Sequence, residues 1–195
     1  MTESDTNLRA RLVDVGVALV AAEGAEALTL REIARRTGVS HGAPRRHFPT
    51  HLELLSAIAR RGFTDLAGEV EATLAETVGA TARERIAALA RTYLRFALEH
   101  PGMHELMFRH DVLESGHLGL RGTSLPLFGL FADLVGQVSP GADARRTAGA
   151  LWAALHGLAQ LWRWGSLQLA TGEQEFAPLL DTVLNAHLGP RDGER

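Results

Sequence analysis

With 195 residues, of which 46% are hydrophobic and 22% charged, the chain has the composition of an ordinary globular protein of one or two domains. The lack of cysteine excludes a disulfide framework, a thiolate metal site and a cysteine nucleophile; no apolar run approaches the ~20 residues of a membrane span, and polar Met1–Asn7 is unlike a signal segment, so a cytoplasmic location is expected. The net charge of −3 is unevenly spread: Leu28–Arg61 carries seven arginines against two acids, a balance of +5, which leaves −8 for the remainder.

In chain order, Ser4 or Thr6 is placed to cap a first helix ending near Glu23, with Leu8, Leu12, Val15, Leu19 and Ala22 on one face. Thr29 with Glu32 forms a capping box for a second helix that stops at Gly38. Ser40 is expected to cap a third, about His41 to Phe48, in which Pro44 is awkwardly deep. Thr50 with Glu53 opens a long fourth helix to about Glu76, and Thr81 with Glu84 a fifth to Glu99. A short helix Met103–Arg109 follows, then a glycine-containing segment, His110–Thr123, that reads as a mobile loop. Helices are expected over Ser124–Gln137, Ala142 to about Leu169, and Glu175–His187, with a break at Ser139-Pro140-Gly141 and a polar tail after Gly189-Pro190. The reading is an all-α protein of about nine helices, with no strand pattern.

Within this order, Leu28–Leu55 stands out. Ala34 permits a close helix crossing, Gly38 permits the positive φ of a sharp turn, and Val39 fills the angle between the helices, as a helix-turn-helix requires. The stretch LTLREIARRTGVS, the G-A-x-x-R-H-F of Gly42–Phe48 and the following P-T-x-x-E-L-L resemble the DNA-binding domain of the TetR/AcrR bacterial transcription regulators. Downstream, Trp152 with His156-Gly157 resembles the W-x-x-x-H-G signature of one type of ligand-binding domain in that family. The resemblance implies an N-terminal helix-turn-helix domain over residues 8–54 and a ligand-binding and dimerisation domain over residues 55–188. It also implies a homodimer on a double-stranded DNA operator and a small-molecule effector.

For DNA, the candidates are Thr29, Arg31, Ser40, His41, Arg45, Arg46, His47, Thr50 and His51. Arginine and histidine on a groove-sized helix suit base edges, whereas hydroxyls and amides at helix starts suit phosphates. The resemblance implies that the third helix enters the major groove, with Arg31 at a base or phosphate and Thr29 and His47 at phosphates. Two departures from the family pattern lie inside this surface. Arg45 stands where a tyrosine is usual, and His51 where a lysine is usual, which strengthens one phosphate contact and weakens the other at neutral pH.

For a ligand, the candidates are Tyr93, Phe96, Met103, Met107, Phe108, Phe128, Phe131, Trp152 and His156, an aromatic and methionine set with a polar handle. For dimerisation, Leu155, Leu158, Leu161 and Trp162 with Leu179, Leu180, Val183 and Leu184 suit a symmetric four-helix contact. His104, His110, Asp111 and His117 match no strong metal-site spacing, so neither metal nor cofactor is expected. No phosphate loop or nucleophile elbow points to an enzyme. The expected function is a ligand-responsive transcriptional regulator, a repressor released from a pseudo-palindromic operator by its effector. The alternative is a helical small-molecule-binding protein with weak or lost DNA binding.

Overall fold

The computed structural model describes residues 3–115, 119–140 and 143–190. Among the described residues there are eleven α-helices and no strand, so the all-α expectation holds with two helices more than the periodicity predicts. They are α1 (Glu3–Glu23), α2 (Leu30–Thr37), α3 (Ala43–His47), α4 (His51–Glu76), α5 (Ala82–Glu99), α6 (Pro101–Met107), α7 (His110–Glu114), α8 (Leu120–Val138), α9 (Ala144–Arg163), α10 (Ser166–Thr171) and α11 (Ala177–Leu188). A single 3-10 turn, Ala25–Ala27, joins α1 to α2 and is too short to leave a periodic signal.

The chain divides into two compact units, Met1–Leu66 with Glu99–Ser124, and Ala67–Leu98 with Leu125–Arg195. In the first, Leu12, Leu19, Leu28, Ile33, Phe48, Leu54, Leu55 and Ile58 are fully buried. Thr29 caps α2 as expected, its hydroxyl accepting from the Glu32 N–H at 3.1 Å. The Glu32 carboxylate, however, turns to Arg35 and Arg36. Gly38 ends the helix at φ 74°, and the Val39 N–H reaches back to the Ala34 carbonyl at 3.1 Å. Gly102 of α6 passes the end of α1 so closely that a Cβ there would lie 2.7 Å from the Val20 carbonyl oxygen.

Several boundaries differ from expectation, among them α6, which starts at Pro101, and α11, which runs Ala177–Leu188. The first helix already includes Ser4 and Thr6, so neither caps it. The third begins at Ala43, capped by Gly42 and not by Ser40, which puts Pro44 in the first helical turn, where the missing N–H breaks no intrahelical bond. The expected loop His110–Thr123 contains α7 and the start of α8, and its residues 116–118 lie outside the described residues, as do Gly141, Ala142 and the tail from 191. The expected long helix Ala142–Leu169 starts at Ala144, with Asp143 accepting from the Arg146 N–H at 3.0 Å, and breaks at Trp164-Gly165, where Gly165 adopts φ 74° before α10.

The second unit is held by Ile86, Leu89 and Leu94 of α5, Leu134 and Val135 of α8, Leu151, Leu155 and Leu158 of α9, and Leu180 and Leu184 of α11, all buried in one apolar cluster. Its α5 starts with a complete capping box: the Thr81 N–H donates to Glu84 at 2.8 Å and the Glu84 N–H to the Thr81 hydroxyl at 3.3 Å.

Candidate nucleic-acid interface and helical body

All nine candidate DNA residues fall in the first unit, on α2, the turn after it, α3 and the start of α4, or, for Thr29 and Thr50, at the caps of α2 and α4. The five-residue α3 presents Arg45 and Arg46 to solvent, with His47 half-buried at its end; Arg31 is exposed on α2, and Ser40 and His41 on the turn between the two helices. Thr50 is exposed, and its hydroxyl accepts from the Glu53 N–H at 3.1 Å, capping α4.

The seven arginines counted in the sequence are not equivalent. Arg35 grips Glu32 through two bonds of 2.8 and 2.5 Å, and Arg36 bonds Glu32 at 2.6 Å and also Glu23 at the end of α1. Hydrogen bonds from Arg35 first and Arg36 second hold the Glu32 carboxyl down to about 2. Arg61 pairs with Asp65 and Asp14. Arg31, Arg45 and Arg46 have no acidic partner among the described residues and remain available to an external anion. Glu23 is the residue sequence reasoning missed here, because its pairing with Arg36 joins two separate helices.

His51 is engaged differently from expectation. Its Nε2 lies 2.5 Å from the Leu28 carbonyl oxygen. A carbonyl only accepts, so Nε2 carries the hydrogen, and Nδ1 alone is left for a further partner. The ring thereby ties the start of α4 to the residue before the α2 cap.

In the second unit, three of the candidate ligand residues form a polar relay. The Tyr93 hydroxyl lies 2.8 Å from His156 Nδ1 and is also hydrogen-bonded by Trp152. An indole N–H only donates, so Tyr93 accepts from Trp152; toward His156 the hydroxyl donates to Nδ1 or accepts from it according to the imidazole tautomer. Burial raises the Tyr93 hydroxyl above its ordinary range, with the Trp152 bond opposing, and burial lowers His156, so both groups stay neutral. Phe128 meets the Trp152 ring edge-on at 6.3 Å, Phe131 is half-buried beside the core, and Phe96 is fully buried.

Met103, Met107 and Phe108 belong to the first unit. There the two methionine sulfurs lie against Gly62, and Phe108 meets Phe63 edge-on at 5.6 Å. An open groove of about 450 Å³ in the second unit is lined by Arg85, Pro126, Leu130, Asp133 and Gln137, and none of the nine candidates lines it.

Of the residues expected at a dimer contact, Leu155, Leu158, Leu180 and Leu184 are buried in the unit's own core, so they do not line a surface. Helical spacing identifies an apolar face but not what covers it. Leu161 is 39% exposed, and Trp162, Leu179 and Val183 are half-buried. Trp164, 61% exposed, and Leu169, 90% exposed, are apolar surface residues that the unbroken-helix reading passed over.

The fold and this surface define the class: a helix-turn-helix protein with a helical body. Residues 12–58 match the model for bacterial regulatory proteins of the tetR family, and residues 86–185, just over half of the chain, match the tetracyclin repressor-like C-terminal domain. A solved structure of a protein with unknown function from Rhodococcus sp. RHA1 is 33% identical over 92% of this chain and 94% of its own, with a TM-score of 0.69. The nucleoid occlusion factor SlmA of Glaesserella parasuis serovar 5 is 29% identical over 104 residues, 48% of each chain. The HTH-type transcriptional regulator Mb1846 of Mycobacterium bovis is 29% identical over 105 residues, 54% of this chain and 45% of its own. The chain spans about half the length of the curated relatives it matches. It belongs to the TetR family of bacterial regulatory proteins. No helix among the described residues is long and apolar enough to cross a membrane.

Proposed function

We propose that the chain is a cytoplasmic, homodimeric transcriptional repressor that binds a pseudo-palindromic DNA operator and leaves it when a small-molecule effector binds. The observation that carries this reading is the set of exposed cations, Arg31, Arg45 and Arg46, that lack acidic partners among the described residues and lie on the two helices of a helix-turn-helix. Nearby Arg35 and Arg36 are paired with Glu32 and Glu23, so the uncompensated charge lies on Arg31 of α2 and on Arg45 and Arg46 of α3, residue types suited to a major groove.

The functional division proposed is residues 8–54 for DNA and 55–188 for effector and dimer contact. Trp152, His156 and Gly157 form the W-x-x-x-H-G element of the second part, and the Trp152–Tyr93–His156 relay supports a role for them in orienting an effector, since it fixes polar atoms within apolar surroundings. Exposed Leu161 on α9 and Trp164 just after it support dimer contact at this end of the helix. Release requires that the effector bind the conformer with low DNA affinity better than the other.

Selection of bound fragments from random duplex DNA tests the reading. An enriched pseudo-palindrome, bound with steep salt dependence, supports it. The absence of retained DNA down to low salt overturns it in favour of a helical small-molecule-binding protein.

A further inference from the structure

Outside the helix-turn-helix, one cation in the first unit has an unusual setting. Arg9, on the second turn of α1, holds its guanidinium carbon 4.9 Å from the centre of the Phe48 ring. Phe48 closes α3 and is 1% exposed, whereas Arg9 is only half-buried, so the guanidinium covers the ring from the solvent side. Two residues further on, Thr50 caps α4. Arg9 therefore stands over the residue that closes α3, two residues before the α4 cap.

A guanidinium over an aromatic face uses its π surface for the ring and keeps its N–H groups at its edges. Among the residues whose side chains are described, 7–115, 119–140 and 143–190, no carboxylate pairs with Arg9, although other arginines of this unit, Arg35, Arg36, Arg61 and Arg109, are each paired with an acid. The His51 ring, at the same junction, has its Nε2 committed to the Leu28 carbonyl. The Arg9 guanidinium, held on Phe48 just before that cap, brings a cation from α1 to this junction.

We infer that Arg9 is a DNA-backbone contact, a phosphate-binding residue contributed by α1 and held in position by the Phe48 ring. The inference rests on the DNA-binding reading above. A phosphate contact has a distinct signature: it contributes equally to every duplex sequence, and its loss makes the salt dependence shallower by about 0.9 in log–log slope for each protomer. A residue that only covered Phe48 would not change that slope.

The test measures binding of the full chain to its selected operator and to a random duplex, by fluorescence anisotropy over a salt series, for the native protein, Arg9→Gln, Arg9→Leu and Arg9→Lys, with thermal unfolding of each. The expected result is an equal fold-loss on both duplexes for Arg9→Gln and Arg9→Leu, a slope shallower by about 0.9 per protomer, and a slope restored by Arg9→Lys. Arg9→Leu keeps apolar cover on Phe48 and so separates charge from packing. A native slope in both neutral variants overturns the inference, as does a loss confined to the selected operator. If the native protein binds no duplex at low salt, the DNA-binding reading itself fails and this inference with it.

Discussion

Alanine in place of Gly102 puts a methyl group where the structure has no room. The new Cβ would lie 2.7 Å from the Val20 carbonyl oxygen and 3.2 Å from the Gly24 Cα. A relaxed carbon–oxygen contact is about 3.3 Å, so the overlap is about 0.6 Å. Both neighbours are backbone, and the Val20 carbonyl is already bonded by the Gly24 N–H at 3.0 Å, so neither can turn aside as a side chain would. Overpacking of this kind costs about 1–3 kcal/mol, and the better helix propensity of alanine returns at most about 1 kcal/mol at the second residue of α6. The net expectation is a loss of about 1–2 kcal/mol, or a fall in Tm of about 2–8 °C for a chain of this length. Gly68, exposed in the middle of α4 with nothing within 4 Å of its Cβ position, provides the contrast. There the same substitution is expected to stabilise by about 0.5–1 kcal/mol. Calorimetry of both variants decides the matter. Equal stabilisation by Gly102→Ala and Gly68→Ala would refute the steric argument, because it would mean that α6 slides away from α1 at no cost.

Glu32→Gln releases Arg35 and Arg36 from their shared carboxylate, so affinity for random duplex DNA should rise and its salt dependence should steepen, measured by the same anisotropy series. The folded Glu32 carboxyl, held near 2, lies below its ordinary 4.5; its contribution to stability is therefore present above about pH 4.5 and lost as pH falls toward 2, and denaturant titrations across that window should show the loss in the native protein and not in Glu32→Gln. Thr29→Ala removes the α2 cap and should cost about 1 kcal/mol in denaturant unfolding, with weaker operator binding. Arg45→Ala should alter the base preferred at one position of each half-site recovered by selection; a uniform loss across all sequences would make it a phosphate contact instead.

The parts legible in the sequence were those set by local chemistry. Thr29, Thr50 and Thr81 each cap the helix that the Thr-x-x-Glu spacing indicates, because a cap involves atoms only two or three residues apart. Gly38 takes the positive φ that the turn needs. What the sequence concealed depended on partners distant in the chain or on several signals competing. Apolar residues on both sides of Trp164-Gly165 masked the break that creates α10. Glycines and polar residues between His110 and Thr123 suggested a loop, yet Asp111 accepts from the Val112 N–H and a five-residue helix forms. In the candidate site, the exposed arginines of α3 were legible as a charge cluster. The withdrawal of Arg35 and Arg36 by Glu32 and Glu23, and the turn of His51 toward Leu28, were not, since each depends on where a side chain from another segment arrives.

Under the proposed function, the brevity of α3 sets a limit on how much sequence information one protomer can extract. Five residues rise only about 7.5 Å along the helix axis, close to two steps of stacked base pairs at 3.4 Å each. A reading head of that length would address about two or three base pairs directly, and each mismatch among them would be worth about 1–3 kcal/mol. Under the proposed function, such a word is too short to single out one site in a genome. Discrimination would then come from the fixed distance between two such words and from how readily the intervening DNA adopts the shape that lets both be read at once.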